Sequence, residues 1–196
     1  MFELGGTLMA EQKNREWLNI VKIVIFALIF ALLVRTFLFS PIIVDGPSMQ
    51  PTLYTKDQMI VNKFTYRFKE PERFDIVVFH ASEQKDFIKR VIGLPGEHVM
   101  VQDDVLYIDG EPVDQPFLED SDEHSSLFPV KTADFRLEDL KGNYEKIPEG
   151  YIFVLGDNRH NSTDSRHDDL GLVPLDEVVG KTNVIYWPPS RMQIVK

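Results

Sequence analysis

The chain has 196 residues, 43% of them hydrophobic and 27% charged, with no cysteine and a formal net charge of -10. This is room for one sizeable domain plus an anchor, and too much apolar content for a disordered chain. The absence of cysteine excludes disulfides, thiolate zinc sites and cysteine nucleophiles, and the acidity argues against a nucleic-acid partner, whose phosphates need a basic face.

In chain order, residues 1–16 form a polar N-terminal segment; its opening "MFELGGTLMA" has no structural pattern, and Met9 is an alternative start to Met1. Residues 17–39, "WLNIVKIVIFALIFALLVRTFLF", carry only Lys22 and Arg35 as charges, each near enough to an end to snorkel. As a helix this stretch is about 34 Å long, enough for a hydrocarbon core of about 30 Å. A cleaved signal peptide is the rival reading, because the uninterrupted apolar core, Ile23 to Val34, is 12 residues long. The exit "TFLFSPIIVDG" lacks a small-x-small cleavage site, which favours an uncleaved anchor. Lys13, Arg15 and Lys22 lie near its start, and no basic residue follows Arg35 until Lys56. By the positive-inside rule the N-terminus is cytoplasmic and residues 40–196 are extracytoplasmic, giving a single-pass protein of the cell membrane.

Beyond the anchor, runs rich in Val, Ile, Phe and Tyr at residues 58–64, 74–80, 86–93, 97–102, 151–157 and 178–187 are bounded by Gly, Pro or Asp and read as strands. Residues 103–113 alternate apolar and polar into Asp109-Gly110, a hairpin signal. One short helix is expected around residues 133–142, ending near Gly142. Between Val91 and Val130 there are ten acidic residues and no Lys or Arg, so residues of about 103–148 read as an acidic, variable insertion. The expected fold is mainly β, an antiparallel packed-sheet domain preceded by one transmembrane helix.

Three stretches could carry chemistry. In "VDGPSMQPTL", residues 44–53, Ser48 sits in a turn restricted by Pro47 and Pro51, but a serine hydroxyl is a poor nucleophile without a base. In "FIKRVIGLPGE", residues 87–97, strand alternation sends Lys89 and Arg90 to opposite faces, so that one of them can point inward; a lysine in apolar surroundings loses its proton more readily and can serve as a base. In "GDNRHNSTDSR", residues 156–166, Arg159 and Arg166 among Asp157 and Asp164 suggest an ion-pair network that stiffens the loop and could present Ser162 or Ser165 to orient a base. His160 and His167 in the same region leave a Ser-His-Asp triad or a metal site open, whereas His98 and His124 read as structural or solvated.

Together and in this order, "GPSMQPTL", "FIKRVIGLPGE" and "GDNRHNSTDSR" after an N-terminal anchor resemble the type I signal peptidases, most closely their smaller Gram-positive branch. The resemblance implies a membrane-bound serine endopeptidase with a Ser-Lys dyad that removes signal peptides from exported preproteins, working at the bilayer with neither metal nor other cofactor. By motif position, Ser48 is the nucleophile, Lys89 the general base and Ser162 the residue that orients the amine, with Asp157, Asp164 and Arg166 as structural support. The Ser48 N–H would serve the oxyanion hole; the position that carries a second, hydroxyl donor in some members is Gly46 here. Met49, Leu53, Phe87 and Ile88 would line shallow pockets for small side chains. Two rivals remain at this point: a self-cleaving SOS-type repressor with a similar dyad, disfavoured by the absence of a DNA-binding region, and a membrane-anchored β domain that only binds a partner.

Overall fold

The computed structural model describes residues 4–119 and 132–195, so His124 and residues 120–131 of the acidic insertion lie outside the described residues. The chain divides into two compact units, Met1–Phe39 and Ser40–Lys196.

The first unit is one helix, α1, Leu4–Phe37. It begins well before the expected span, taking in most of the stretch expected to lack structure. Helix extension is cheap once a long apolar segment has nucleated it, and Ala10 to Arg15 is made of helix-tolerant residues. Within α1, Glu16–Phe37 is long and apolar enough to cross a membrane. Its large side chains, Phe26, Leu28 and Phe30 among them, are exposed, unlike those of a core helix.

The second unit is mainly antiparallel β. One sheet holds β1 (Phe39–Ile43), β2 (Gln58–Asn62), β3 (Ile76–Ser82), β4 (Lys85–Gly93), β9 (Tyr151–Leu155), β10 (Val173–Pro174), β11 (Val178–Trp187) and β12 (Gln193–Ile194). Its order is β1-β2-β11-β3-β4-β9-β10, with β12 on β11. A second sheet runs in the order β7-β6-β5-β8, from β5 (Val99–Gln102), β6 (Val105–Ile108), β7 (Glu111–Val113) and β8 (Phe135–Arg136). Tight turns set both hairpins of this sheet: Asp103 and Asp104 at φ 51° and 68° join β5 to β6, and Asp109 and Gly110 at 50° and 85° join β6 to β7. Ile76–Phe79 of β3 and Lys89–Gly93 of β4 are buried on both faces, which is why these stretches do not alternate between apolar and polar.

The helix expected at residues 133–142 is absent. Phe135 and Arg136 pair instead with Val101 and Met100 of β5, and Leu137, in a 3-10 turn, is buried in the core. A single turn of helix is a weak competitor against strand pairing and burial of Leu137. Three apolar clusters hold the unit. One, with Ile92, Val99, Leu106 and Phe153, joins the two sheets; one, with Val77, Phe79, Val91 and Val154, packs the middle of the large sheet; the third, with Val44, Met49, Leu53, Met59 and Ile185, lies under the turn that carries Ser48.

Candidate active site

Ser48 is fixed from below and from the side. Below it, Met49 and Leu53 are 1% and 0% exposed, and Leu53 N–H donates to Met49 O at 2.8 Å. Before it, Gly46 has φ +98°, a conformation that side-chain-bearing residues adopt only with strain. From the side, Asn158 N–H donates to Ser48 O at 3.0 Å, and Asn158 Nδ2 donates to Pro47 O at 3.2 Å. The Ser48 N–H donates to no acceptor among the described residues.

Lys89 comes to Ser48 from β4. Its Nζ donates to Ser48 Oγ at 2.9 Å and to Ile88 O at 3.0 Å, and it lies 5.0 Å from the centre of the Phe87 ring. The side chain is nearly inaccessible and forms no ion pair among the described residues. Burial pushes the amine down from 10.5 to about 8, against a smaller opposing pull from the Asp164 and Asp157 carboxylates. At neutral pH about a tenth of such a lysine is the free amine, a form almost absent in a solvated one. In that form the contact reverses, with Ser48 Oγ–H donating to Nζ.

Strand alternation separates Lys89 from Arg90, yet both are buried: the expectation that one of them points inward understated the fold, because β4 is covered on both faces from Lys89 onward. Arg90 is paired through Nε and Nη2 with Asp157 at 2.9 and 2.7 Å, donates to Phe74 O at 3.0 Å and stacks over Phe117 at 3.9 Å. Asp164 takes Arg166 as its partner through two contacts of 2.8 Å. Burial alone would raise the Asp164 carboxyl; Arg166, the Gly156 N–H and the nearby Ser162 hydroxyl outweigh it and hold the carboxyl below its ordinary value. Arg159, expected among the carboxylates, instead donates to Gly156 O, Thr132 Oγ1 and Gln115 Oε1. The Arg90–Asp157 pair was missed from sequence, because the two residues lie 67 positions apart.

Ser162 is 7% exposed; its hydroxyl lies near the Asp164 carboxylate but makes no well-formed hydrogen bond among the described residues, so a bond to the Lys89 amine is not made in this arrangement. A buried orphan hydroxyl is unusual and costs about 1–3 kcal/mol. Gly156 lies between this hydroxyl and Ser48 O: a Cβ there would collide with both, so only glycine lets the loop approach the serine turn so closely.

A cavity of about 490 Å³ opens beside the pair, lined in part by Met49, Phe87, Ile88, Val44 and Val78. Leu53, expected to line it with Met49, does not; it is fully buried beneath the turn among Met59, Ile76 and Ile185. His160 is exposed, and His167 is exposed with Nδ1 3.9 Å from Asp164. His98 pairs with Glu138 and His80 with Asp86, so no described histidine is bonded to Ser48.

Residues 17–187 match the family model described as signal peptidase, peptidase S26. A signal peptidase I of Bacillus caldolyticus is 42% identical over 93% of this chain and 95% of its own, and signal peptidase I T of Bacillus subtilis is 39% identical over 95% and 94%. The crystal structure of a signal peptidase I from Enterococcus faecalis V583 aligns with a TM-score of 0.51 at 41% identity, covering 58% of this chain and 97% of that one. This serine peptidase belongs to the signal peptidase family, peptidase S26, in the type I, Gram-positive branch of its relatives.

Proposed function

We propose that the chain is a membrane-anchored endopeptidase that removes signal peptides from exported preproteins, with Ser48 as nucleophile and Lys89 as general base. The observation that carries this reading is the 2.9 Å contact between Lys89 Nζ and Ser48 Oγ, made by a buried lysine whose proton is loosened. Free Lys89 amine takes the hydroxyl proton as Oγ attacks the scissile carbonyl, then hands it to the leaving amine; water, activated by the same amine, releases the acyl group from Ser48. The uncommitted Ser48 N–H is the backbone donor available to the developing oxyanion, and Gly46, which has no side chain, offers no second, side-chain donor there. The Ser162 hydroxyl, buried and unpartnered, is available to hold the amine once the substrate excludes water. Met49, Phe87 and Ile88 form the apolar wall for a small side chain beside the cut, where one excess methylene group shifts discrimination by about 1–3 kcal/mol.

Glu16–Phe37 is the span that shares the bilayer with the substrate's own apolar segment; the flanking Lys13 and Arg15 favour a cytoplasmic N-terminus and an extracytoplasmic catalytic unit. The test is incubation of the full chain in detergent with a purified preprotein, followed by sequencing of the new N-terminus. Cleavage after the signal peptide, lost in Ser48→Ala, is the expected result; cleavage elsewhere, or undiminished cleavage by Ser48→Ala, would overturn the reading.

A further inference from the structure

We propose that Asp86 gives the substrate groove a cation-selecting subsite, so that the enzyme favours a lysine or arginine three to five residues before the bond it cuts. This rests on the reading of Ser48 and Lys89 as the catalytic pair and adds a preference that neither of those residues creates.

β4 is paired with β3 from Lys85 to Arg90, whereas β9 joins its other side only from Arg90 onward. Residues 85–89 therefore have an open strand edge. The cavity at Ser48 takes in side chains from both faces of that stretch, Phe87 and Lys89 from one and Asp86 and Ile88 from the other. A cavity lined from both faces of a strand runs along its edge, where an extended peptide can lie with one residue beside each residue of the strand. Asp86 is three positions from Lys89, about 10 Å at the rise of a strand. A peptide whose scissile carbonyl sits at Ser48 thus brings a side chain to Asp86 from about three to five residues away. The wall in between is made of Val44, Met49, Val78 and Ile88, which suits the apolar, upstream part of a signal peptide.

Charge then selects at the end of that wall. Asp45, Asp86 and Lys89 are the charged residues lining the cavity. Once the Lys89 amine has lost its proton to act as a base, the remaining formal charge comes from the two carboxylates. Asp45 lies on an exposed loop, but Asp86 is held on a strand: His80, its partner in the β3–β4 register, meets Oδ1 through Nδ1 at 2.6 Å. Asp86 Oδ2 has no partner among the described residues, and the side chain is 52% exposed. A carboxylate fixed through one oxygen with the other available is an acceptor for an ammonium or guanidinium group. In a half-exposed position the preference amounts to about two- to fivefold and is screened by salt.

The experiment uses the full-length protein in nonionic detergent at pH 9, with peptides that differ at one position only, carrying Lys, Gln or Glu in turn at the second to sixth residue before the cut. Expected is a kcat/KM for Lys about two- to fivefold above Gln, with Glu below Gln, at one of the third to fifth positions, shrinking with added salt. Asp86→Asn should level the series, Asp86→Lys should reverse it, and Asp45→Asn should keep it. A level series in the wild type, or a preference that survives in Asp86→Asn, overturns the subsite. The Gln peptides separate the two readings: if they are cut in a Ser48-dependent way while the series is level, only the subsite fails. If they are not cut at all, the catalytic reading fails and the subsite with it.

Discussion

Lys89 and Arg90 stand side by side on β4, 3% and 0% exposed, and project to opposite faces of the same strand. Arg90 is met by everything a buried cation needs: a bidentate carboxylate from Asp157, the Phe74 carbonyl and the face of Phe117. Lys89 meets a serine hydroxyl, its neighbour's carbonyl and an aromatic ring, and no carboxylate partner among the described residues. Equal burial thus leads to opposite chemistry. The fold gives one cation a carboxylate partner, and it loosens the proton of the other by burying it without one. The paired face holds the loop of residues 156–166 against the strand; the unpaired face is where a proton can be moved.

The comparison breaks most visibly in activity. Ser48→Ala and Lys89→Ala should each lower kcat/KM for a preprotein peptide by about 10⁴-fold or more, and the double variant should be no worse, because each removes half of one proton-transfer unit. Additive losses would mean that the two act separately.

Stability should separate the neighbours in sign. Removing Asp157 strands the Arg90 charge, so Asp157→Ala should cost about 3–5 kcal/mol in denaturant unfolding. Lys89→Met should instead stabilise. The lysine titrates at 10.5 when unfolded and at about 8 when folded, so between those values the unfolded chain binds more protons and wild-type stability rises with pH. The cost of burying the charged form, about 3 kcal/mol, is fully present below pH 8 and relieved as pH rises toward 10. Lys89→Met should therefore exceed the wild type in stability at pH 7, with the gap closing by pH 10; equal stability at pH 7 would mean that Lys89 is not desolvated.

Ser162→Ala should reduce kcat about 10–100-fold with little change in KM, since the hydroxyl would hold the amine and not the peptide. An effect confined to KM would assign Ser162 to substrate binding. Smallest of all, His160→Ala and His167→Ala should change kcat/KM less than about twofold, as expected of exposed side chains away from the reacting atoms.

Much of this was legible in the sequence, for physical reasons that differ by residue. The strands of the large sheet could be read because their apolar runs are bounded by turn residues, and Asp109-Gly110 because its turn demands a positive φ. Ser48 and Lys89 were legible as motifs, and the sheet brings them together across 41 positions of chain. The Arg90–Asp157 pair spans 67 positions, a separation at which local pattern carries no information. Leu53 misled because nearness to Ser48 in the chain does not say which way a side chain leaves the turn: Leu53 goes down into the core, while Met49 also reaches the cavity. Residues 133–142 have helical spacing, but their fate was decided by the open edge of β5, which no local window contains.

The central claim is that Lys89 is the base, and the pH dependence of kcat/KM tests it most directly. Measured on a peptide substrate with the full-length protein, the account predicts a single acidic limb with its midpoint near about 8, activity lost as pH falls through it and retained above. The limb should be unchanged in His160→Ala and His167→Ala, and Lys89→Arg should be inactive at every pH because a guanidinium keeps its proton. An acidic limb that disappears in a histidine variant, or activity that persists in Lys89→Ala, would contradict the account.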